Sequence, residues 1–485
     1  MMAQMHDAEA TDAARRHGES TVSSVMRVTN GLVQWSPCGD MLAVATTNRL
    51  VIRDSGTWQI RQQYSTVDVI QAIAWSDDSQ LVLTAMYKRG IVQVWSVQDA
   101  TWACKITEGV AGMIYARWAP DSRHVLTVSD FQLHASVWSL EDASKSVIRH
   151  PKLGADGIAF SRDCRYVAVA ERHECKDFLG IYGCESWDLV THFQLESYDC
   201  VEVQWSPDNS TIAVRDSHIE YRVLVYASNG SLLAKYQAYE NALGLKTMAW
   251  SSSGQFLALG SYDDHARVLS HLNWKPVADF DHEQLAISTS RVNKNAVEYE
   301  EHYADQRVTD RPQGKRVAMS ERQSSLSVSS GLAASAAMKA AGALKPRDIC
   351  FVIREPPFSV ITVSSDPLKG DPKIGIGRAL WSFDSQFLVT KSDQMPHNVW
   401  IWQTETMTLY ATISFIDPVK AFRWSSTANQ LALCSGGNRI FLWTIEGVSW
   451  IDIPSAEFKA LGMRWSPTGD CLVVVGKQEF CCLTL

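Results

Sequence analysis

A five-residue unit, an aromatic followed by a small residue and three turn formers, recurs nine times along this 485-residue chain, and its spacing limits what the chain can fold into. It reads Trp35-Ser36-Pro37-Cys38-Gly39, Trp75-Ser76-Asp77-Asp78-Ser79, Trp118-Ala119-Pro120-Asp121-Ser122, Phe160-Ser161-Arg162-Asp163-Cys164 and Trp205-Ser206-Pro207-Asp208-Asn209. Four more follow: Trp250-Ser251-Ser252-Ser253-Gly254, Trp381-Ser382-Phe383-Asp384-Ser385, Trp424-Ser425-Ser426-Thr427-Ala428 and Trp465-Ser466-Pro467-Thr468-Gly469. From aromatic to aromatic the intervals are 40, 43, 42, 45, 45, 131, 43 and 41 residues, so two regular arrays flank one long interruption. One such unit is weak evidence. Nine in phase describe a chain built from repeated units of about 40 to 45 residues.

Around each unit the pattern of a four-stranded sheet repeats. An alternating strand runs into the aromatic, the turn formers reverse the chain, and a second apolar strand leaves, as in residues 42–45 and 256–259. A third strand follows at 50–54, 91–96, 135–139, 179–183, 222–227, 267–270, 399–403, 439–444 and 479–483, and most units add a fourth, such as 102–106 or 232–236. The predicted fold is all-β, a WD40-type β-propeller of nine degenerate four-stranded blades. The ninth unit stops after its third strand, while residues 24–28 form a strand without a blade. Joining the two removes both exposed edges, so one closed ring is expected, with two smaller rings as the alternative. Trp95-Ser96, Trp138-Ser139, Trp402-Gln403 and Trp443-Thr444 stand where such repeats have Trp-Asp, and the Gly-His opening is missing. The polar tetrad of the best repeats therefore cannot be assumed, and apolar packing between blades is expected to carry the ring.

The chain divides into a disordered tail at 1–23, units one to six at 24–280, a low-complexity insert at 281–372, and units seven to nine at 373–485. The insert is charged over 291–322 and rich in Ser and Ala over 324–344. Such composition predicts a mobile loop that folding does not need. A net charge of -8 gives no general attraction to nucleic acid or to an anionic membrane. No apolar run approaches the roughly 18 to 20 residues that span a bilayer, and the polar first twenty or so residues lack the apolar core of a signal peptide. The cysteines are scattered and mostly sit in apolar strand patterns (Cys434, Cys471, Cys481, Cys482), which reads as reduced, buried thiols of a cytosolic protein.

No catalytic constellation is expected. Gly375-Ile376-Gly377 lacks the third glycine and the following helix of a dinucleotide loop, and no phosphate-binding Gly-Lys-Ser/Thr, His-Glu-x-x-His or nucleophile elbow occurs. The closest metal-like group is His173, Cys175 and Cys184, which lacks a second ligand pair at zinc spacing, so neither metal nor cofactor is predicted. Two polar clusters stand out: Tyr87, Lys88 and Arg89, and Glu171, Arg172, Lys176 and Asp177. Both are read as turns joining the second and third strands of a blade, on one rim of the ring.

At these residues the chain resembles a known family, the centrosomal and spindle-pole WD-repeat proteins whose animal gene lies antisense to that of tumour protein p seventy-three. The resemblance spans residues 25–485 and rests on Ala85-Met86-Tyr87-Lys88-Arg89-Gly90, Val92-Gln93-Val94-Trp95-Ser96, Ala170-Glu171-Arg172 and Cys175-Lys176-Asp177. It continues in Ala238-Tyr239-Glu240, Leu243-Gly244-Leu245-Lys246, Gly260-Ser261-Tyr262-Asp263, Pro372-Lys373-Ile374-Gly375-Ile376-Gly377 and Asn398-Val399-Trp400-Ile401-Trp402. The resemblance implies a non-enzymatic scaffold at the centrosome, basal body or spindle pole. Its partner would be a coiled-coil anchoring protein, with the γ-tubulin complex and a minus-end kinesin reached indirectly, in spindle and cilium assembly. The two polar clusters are then the expected partner-binding residues. The alternative is a propeller subunit of another assembly such as translation initiation, for which the acidic chain lacks basic extensions.

Overall fold

The computed structural model describes residues 21–282, 296–303, 314–317, 349–356, 358, 360–366 and 372–485. The expected disordered tail before residue 21 and the Ser/Ala-rich part of the insert lie outside these residues. Nine sheets follow one another along the chain, one for each repeated unit. Nine apolar clusters fill the spaces between neighbouring sheets, including the space between the last and the first. There Val33, Trp35 and Val44 of blade 1 pack against Val473, Val475 and Phe480 of blade 9. The molecule is one closed ring of nine blades, and the alternative of two rings is excluded. The chain seals the ring as expected: Thr21–Val22 and Met26–Arg27 both pair with Glu479–Thr484. The closing strand thus begins at Thr21 rather than at residue 24.

Physical chemistry explains why the unit recurs. The aromatic ends the inner strand, and in seven of the nine units its indole donates across the blade interface to a backbone carbonyl of the preceding blade. Trp75 reaches Gln34 at 3.0 Å, Trp118 reaches Ala74 at 3.0 Å, Trp381 reaches Ala249 at 3.0 Å, and Trp35 reaches Arg464 across the closure at 3.3 Å. The next residue is a serine in eight units, and in seven of them it accepts an amide five residues on and fixes the turn, as Ser76 does for Leu81 at 2.9 Å. In eight of the nine units the fifth residue takes left-handed backbone, as in Ser79 (φ 60), Ser122 (φ 59), Asn209 (φ 61) and Gly39 (φ 83). Glycine, asparagine and small polar residues are favoured there for that reason. Its side chain also reaches back to the previous blade, where Ser79 Oγ accepts the Cys38 amide at 3.0 Å.

The polar tetrad survives in part. In blade 7, buried His282 from the preceding linker contacts Thr390 Oγ1 through Nε2 at 2.7 Å, and the Trp402 indole donates to the same hydroxyl at 2.8 Å. Burial holds the His282 imidazole down at a pKa of about 4, so it is neutral. In blade 3 the linker position holds Glu108, which accepts from the Thr127 hydroxyl and from the Trp138 indole at 3.0 Å.

The insert departs from the expected loop. Val297–Tyr303 lies parallel to the outer strand of blade 7, Thr408–Ser414, and pairs on its other side with Ile349–Arg354, beyond which lies the backbone of Gly314–Val317. Blade 7 is therefore a seven-stranded sheet. Tyr299, Ile349 and Phe351 are buried in the cluster between blades 7 and 8. The sequence there, Val-Glu-Tyr-Glu-Glu-His-Tyr, looks polar, yet it buries its apolar positions in the joint. Among the described residues no helix is long and apolar enough to cross a membrane.

Candidate protein-binding rim

The aromatic-serine turns occupy one rim of the ring. The opposite rim carries the second-to-third-strand loops and the linkers between blades, and both predicted clusters lie on it.

In blade 2 a short helical turn, Tyr87–Arg89, closes on Gly90, whose left-handed backbone (φ 63) accommodates the reversal. Tyr87 backs onto the apolar cluster of blades 2 and 3, and burial raises its phenol pKa. Lys88 and Arg89 are exposed. Arg89 Nε donates to Asp68 at 2.7 Å and keeps that carboxyl below the usual range.

The blade 4 cluster is placed differently from expectation. Its second and third strands run long, Tyr166–His173 and Lys176–Gly183, so all four predicted residues are strand residues and only Glu174 and Cys175 make the turn. Glu171 and Asp177 are buried at 3% and 2% exposure. Asp177 accepts from Lys152 Nζ at 2.7 Å, the Cys200 amide at 2.7 Å and Ser197 at 3.2 Å, a load-sharing role inside the blade 4–5 joint. Arg172 and Lys176 remain exposed, with Arg172 donating to Asp199 at 3.1 Å.

A belt of backbone hydrogen bonds joins the two clusters. Glu108 N donates to Gly90 O at 3.1 Å, Asp130 N to Gly112 O at 3.4 Å, His150 N to Leu133 O at 3.3 Å, and Arg172 N to His150 O at 3.1 Å. Along it stand three apolar side chains with no cover: Val110 at 109% exposure, Phe131 at 84% and Leu133 at 56%. Phe131 and Gln132 are both left-handed (φ 58 and 56), a costly backbone that turns Phe131 outward. Sequence reasoning missed these residues because an apolar residue beside a strand reads as core. The consecutive loop residues Ser-Asp-Phe-Gln between two strands were the available signal.

The other family-like stretches meet elsewhere on this rim, at the joints of blades 5, 6 and 7. A Cβ on Gly375 would lie 2.3 Å from Ser261 O, one on Gly244 2.1 Å from Glu220 O, and one on Gly260 2.9 Å from Ile376 O. Lys246 Nζ, donating to Ile374 O at 3.0 Å and Asp393 at 2.5 Å, ties the same stretches together. These glycines serve close backbone approach.

The ring, its repeated unit and its exposed rim define the chain as a nine-bladed WD-repeat β-propeller, a protein-binding scaffold. No protein-family model matches it. It is 37% identical over 460 residues to WD repeat-containing protein WRAP73 of Mus musculus, covering 95% of this chain and 94% of the relative, and it belongs to that family. This is the family that the sequence resembles. An uncharacterised WD repeat-containing protein of Schizosaccharomyces pombe is 27% identical over 103 residues, 21% of each chain. Among solved structures, the C-terminal WD40 domain of Sif2 matches with a TM-score of 0.50 at 9% identity, over 97% of this chain and 99% of that one, a likeness of fold alone.

Proposed function

We propose that this propeller is a non-enzymatic scaffold at the centrosome, basal body or spindle pole, where it binds a coiled-coil anchoring protein and helps hold microtubule minus ends in spindle and cilium assembly. The γ-tubulin complex and a minus-end kinesin are reached through that partner. Membership of the WRAP73 family supports the reading, and the rim belt of blades 2 to 4 carries it. Apolar Val110, Phe131 and Leu133 sit between basic Lys88 and Arg89 on one side and Arg172 and Lys176 on the other. A helix with an apolar stripe and flanking carboxylates complements that arrangement, as the exposed faces of coiled coils do. The buried Glu171 and Asp177 are left to internal roles.

The test is capture of the coiled-coil partner by the purified ring. Reversing Lys88 and Arg89 to Glu should weaken capture partly and steepen its salt dependence, because rim charges act mostly on the association rate. Phe131→Asp should weaken it further, about 10-fold or more, as removal of a central aromatic anchor does. Both variants should keep the parent melting temperature. Unchanged capture at low salt in both would move the site to the other rim. In cells, a tagged protein is expected beside γ-tubulin; its absence there would reject the location.

A further inference from the structure

We propose that Glu171, His173 and His192 form a binding site for a divalent transition metal ion of the zinc type, at the blade 3–4 end of the rim. Three strands of blade 4 assemble it: Glu171 and His173 from the second, Tyr182 from the third, His192 from the outer one. Both imidazoles turn Nε2 toward the same carboxylate oxygen, with His173 at 3.1 Å and His192 at 3.2 Å from Glu171 Oε2. The candidate ligand atoms all lie within 4.8 Å of one another. A tetrahedral ion with bonds of about 2.0 to 2.1 Å needs ligand atoms roughly 3.4 Å apart. The two imidazole-to-carboxylate distances are close to that, and the remaining pair lies within 4.8 Å.

Four further features are those of a built site. The Glu171 side chain is only 4% exposed, and among the described residues no Lys or Arg pairs with it. Its charge partners are the two imidazoles themselves, which can face it with a proton or share an ion with it. The Tyr182 hydroxyl donates to the other oxygen, Oε1, at 2.6 Å and leaves Oε2 to the imidazoles, the way an outer partner orients a metal ligand. Gly180 makes the space, since a Cβ there would lie 2.3 Å from Glu171 Oε1. Phe178 stacks on the His192 ring at 5.1 Å and 2°, and His150 meets the His173 ring edge-on at 5.1 Å, which fixes both imidazoles. Two His and one Glu leave a fourth position open, and His173 and His192 are about one third exposed, so water or an outside ligand can fill it. Spacing hid the site: His192 lies 21 residues from Glu171. Cys184, the sequence-level candidate, sits beyond the other end of the third strand.

The full chain, stripped with a chelator, is titrated with Co2+ and then with Zn2+. One equivalent of Co2+ with the visible absorption of tetrahedral coordination, displaced by Zn2+, is expected, together with a higher melting temperature in Zn2+. His173→Gln and His192→Gln, both about one third exposed and each keeping an amide donor for Glu171, should abolish the spectrum and the thermal shift. Tyr182→Phe should weaken Co2+ about 10- to 100-fold. Cys175→Ser should bind as the parent does. The site is overturned if the parent takes up no ion, if His173→Gln and His192→Gln bind unchanged, or if Cys175→Ser alone removes binding. In that last case an exposed thiol is the ligand.

Discussion

In blade 7, His282, Thr390 and Trp402 form a buried polar chain, and extra strands cover the outer edge. In blade 4 the positions of Thr390 and Trp402 hold Val169 and Tyr182, and the outer strand Leu189–Gln194 leaves Leu189 and Val190 half exposed. Both blades grow from the same unit and keep the same four-stranded backbone. The difference teaches that the repeat specifies the ring but leaves the polar positions free. Blade 7 uses them to lock its joint, whereas blade 4 gathers a carboxylate and imidazoles beside an open rim.

The contrast is broken most severely at the outer edge. Phe351 is 2% exposed and meets Phe415, Phe441 and Trp450 with ring centroids 6.3, 6.0 and 6.1 Å away. Phe351→Ala should cost about 3 to 5 kcal/mol in denaturant unfolding, and deleting residues 292–344, which removes the strand Val297–Tyr303, should cost at least as much. Val190→Ala on the bare edge of blade 4 should stay within about 0.5 kcal/mol. Equal effects at the two edges would erase the distinction.

A second, smaller contrast is pH. Glu298, buried in the added strand, has its pKa pushed up to about 7 by desolvation, with the Ser414 hydroxyl donating to it at 2.6 Å. It is protonated in the fold at low pH, so its contribution is complete below the unfolded carboxylate value of about 4.3 and is lost as pH rises through 7. His282 acts in the opposite sense. Its contribution is complete above the unfolded value of about 6.5 and is lost as pH falls through 4. The two partly cancel in the parent. Glu298→Gln should therefore raise the melting temperature at pH 8, leave it unchanged near pH 4, and unmask a rise between pH 4 and 6.5. A parallel curve at every pH would show that Glu298 is not buried in solution.

The smallest effect concerns the indole ring. It is interrupted at Trp250, whose indole finds no acceptor, and at Phe160, where the Arg117 guanidinium lies 4.6 Å over the ring instead. Phe160→Trp restores the donor but disturbs that contact, so its unfolding free energy should change by no more than about 1 kcal/mol.

The nine units were legible because each carries its turn chemistry in five consecutive residues. What stayed hidden depends on separation or on burial. His282 and Thr390 are 108 residues apart across the insert, so no local pattern joins them. The strand at Val297–Tyr303 carries Glu298, Glu300 and Glu301, and charge pointed to solvent where the fold buries Glu298 at 2% exposure. At the rim, Lys88 and Arg89 lie exposed where a polar cluster should, while Glu171 and Asp177 look identical in sequence and point inward. Sign of charge does not encode which face of a strand a residue takes.

Ring closure sets an order for making the molecule. Ser23 and Cys482, hydrogen-bonded neighbours at the seam, are 459 residues apart, so at about 5 to 20 residues per second the ribosome delivers the second roughly 20 to 90 seconds after the first. Throughout that time the Val33, Trp35 and Val44 face of blade 1 has no mate. An open solenoid can settle repeat by repeat as it emerges. In this ring the first wall stays unpaired until the last strand leaves the exit tunnel, and for that interval it is a surface a nascent-chain chaperone could cover.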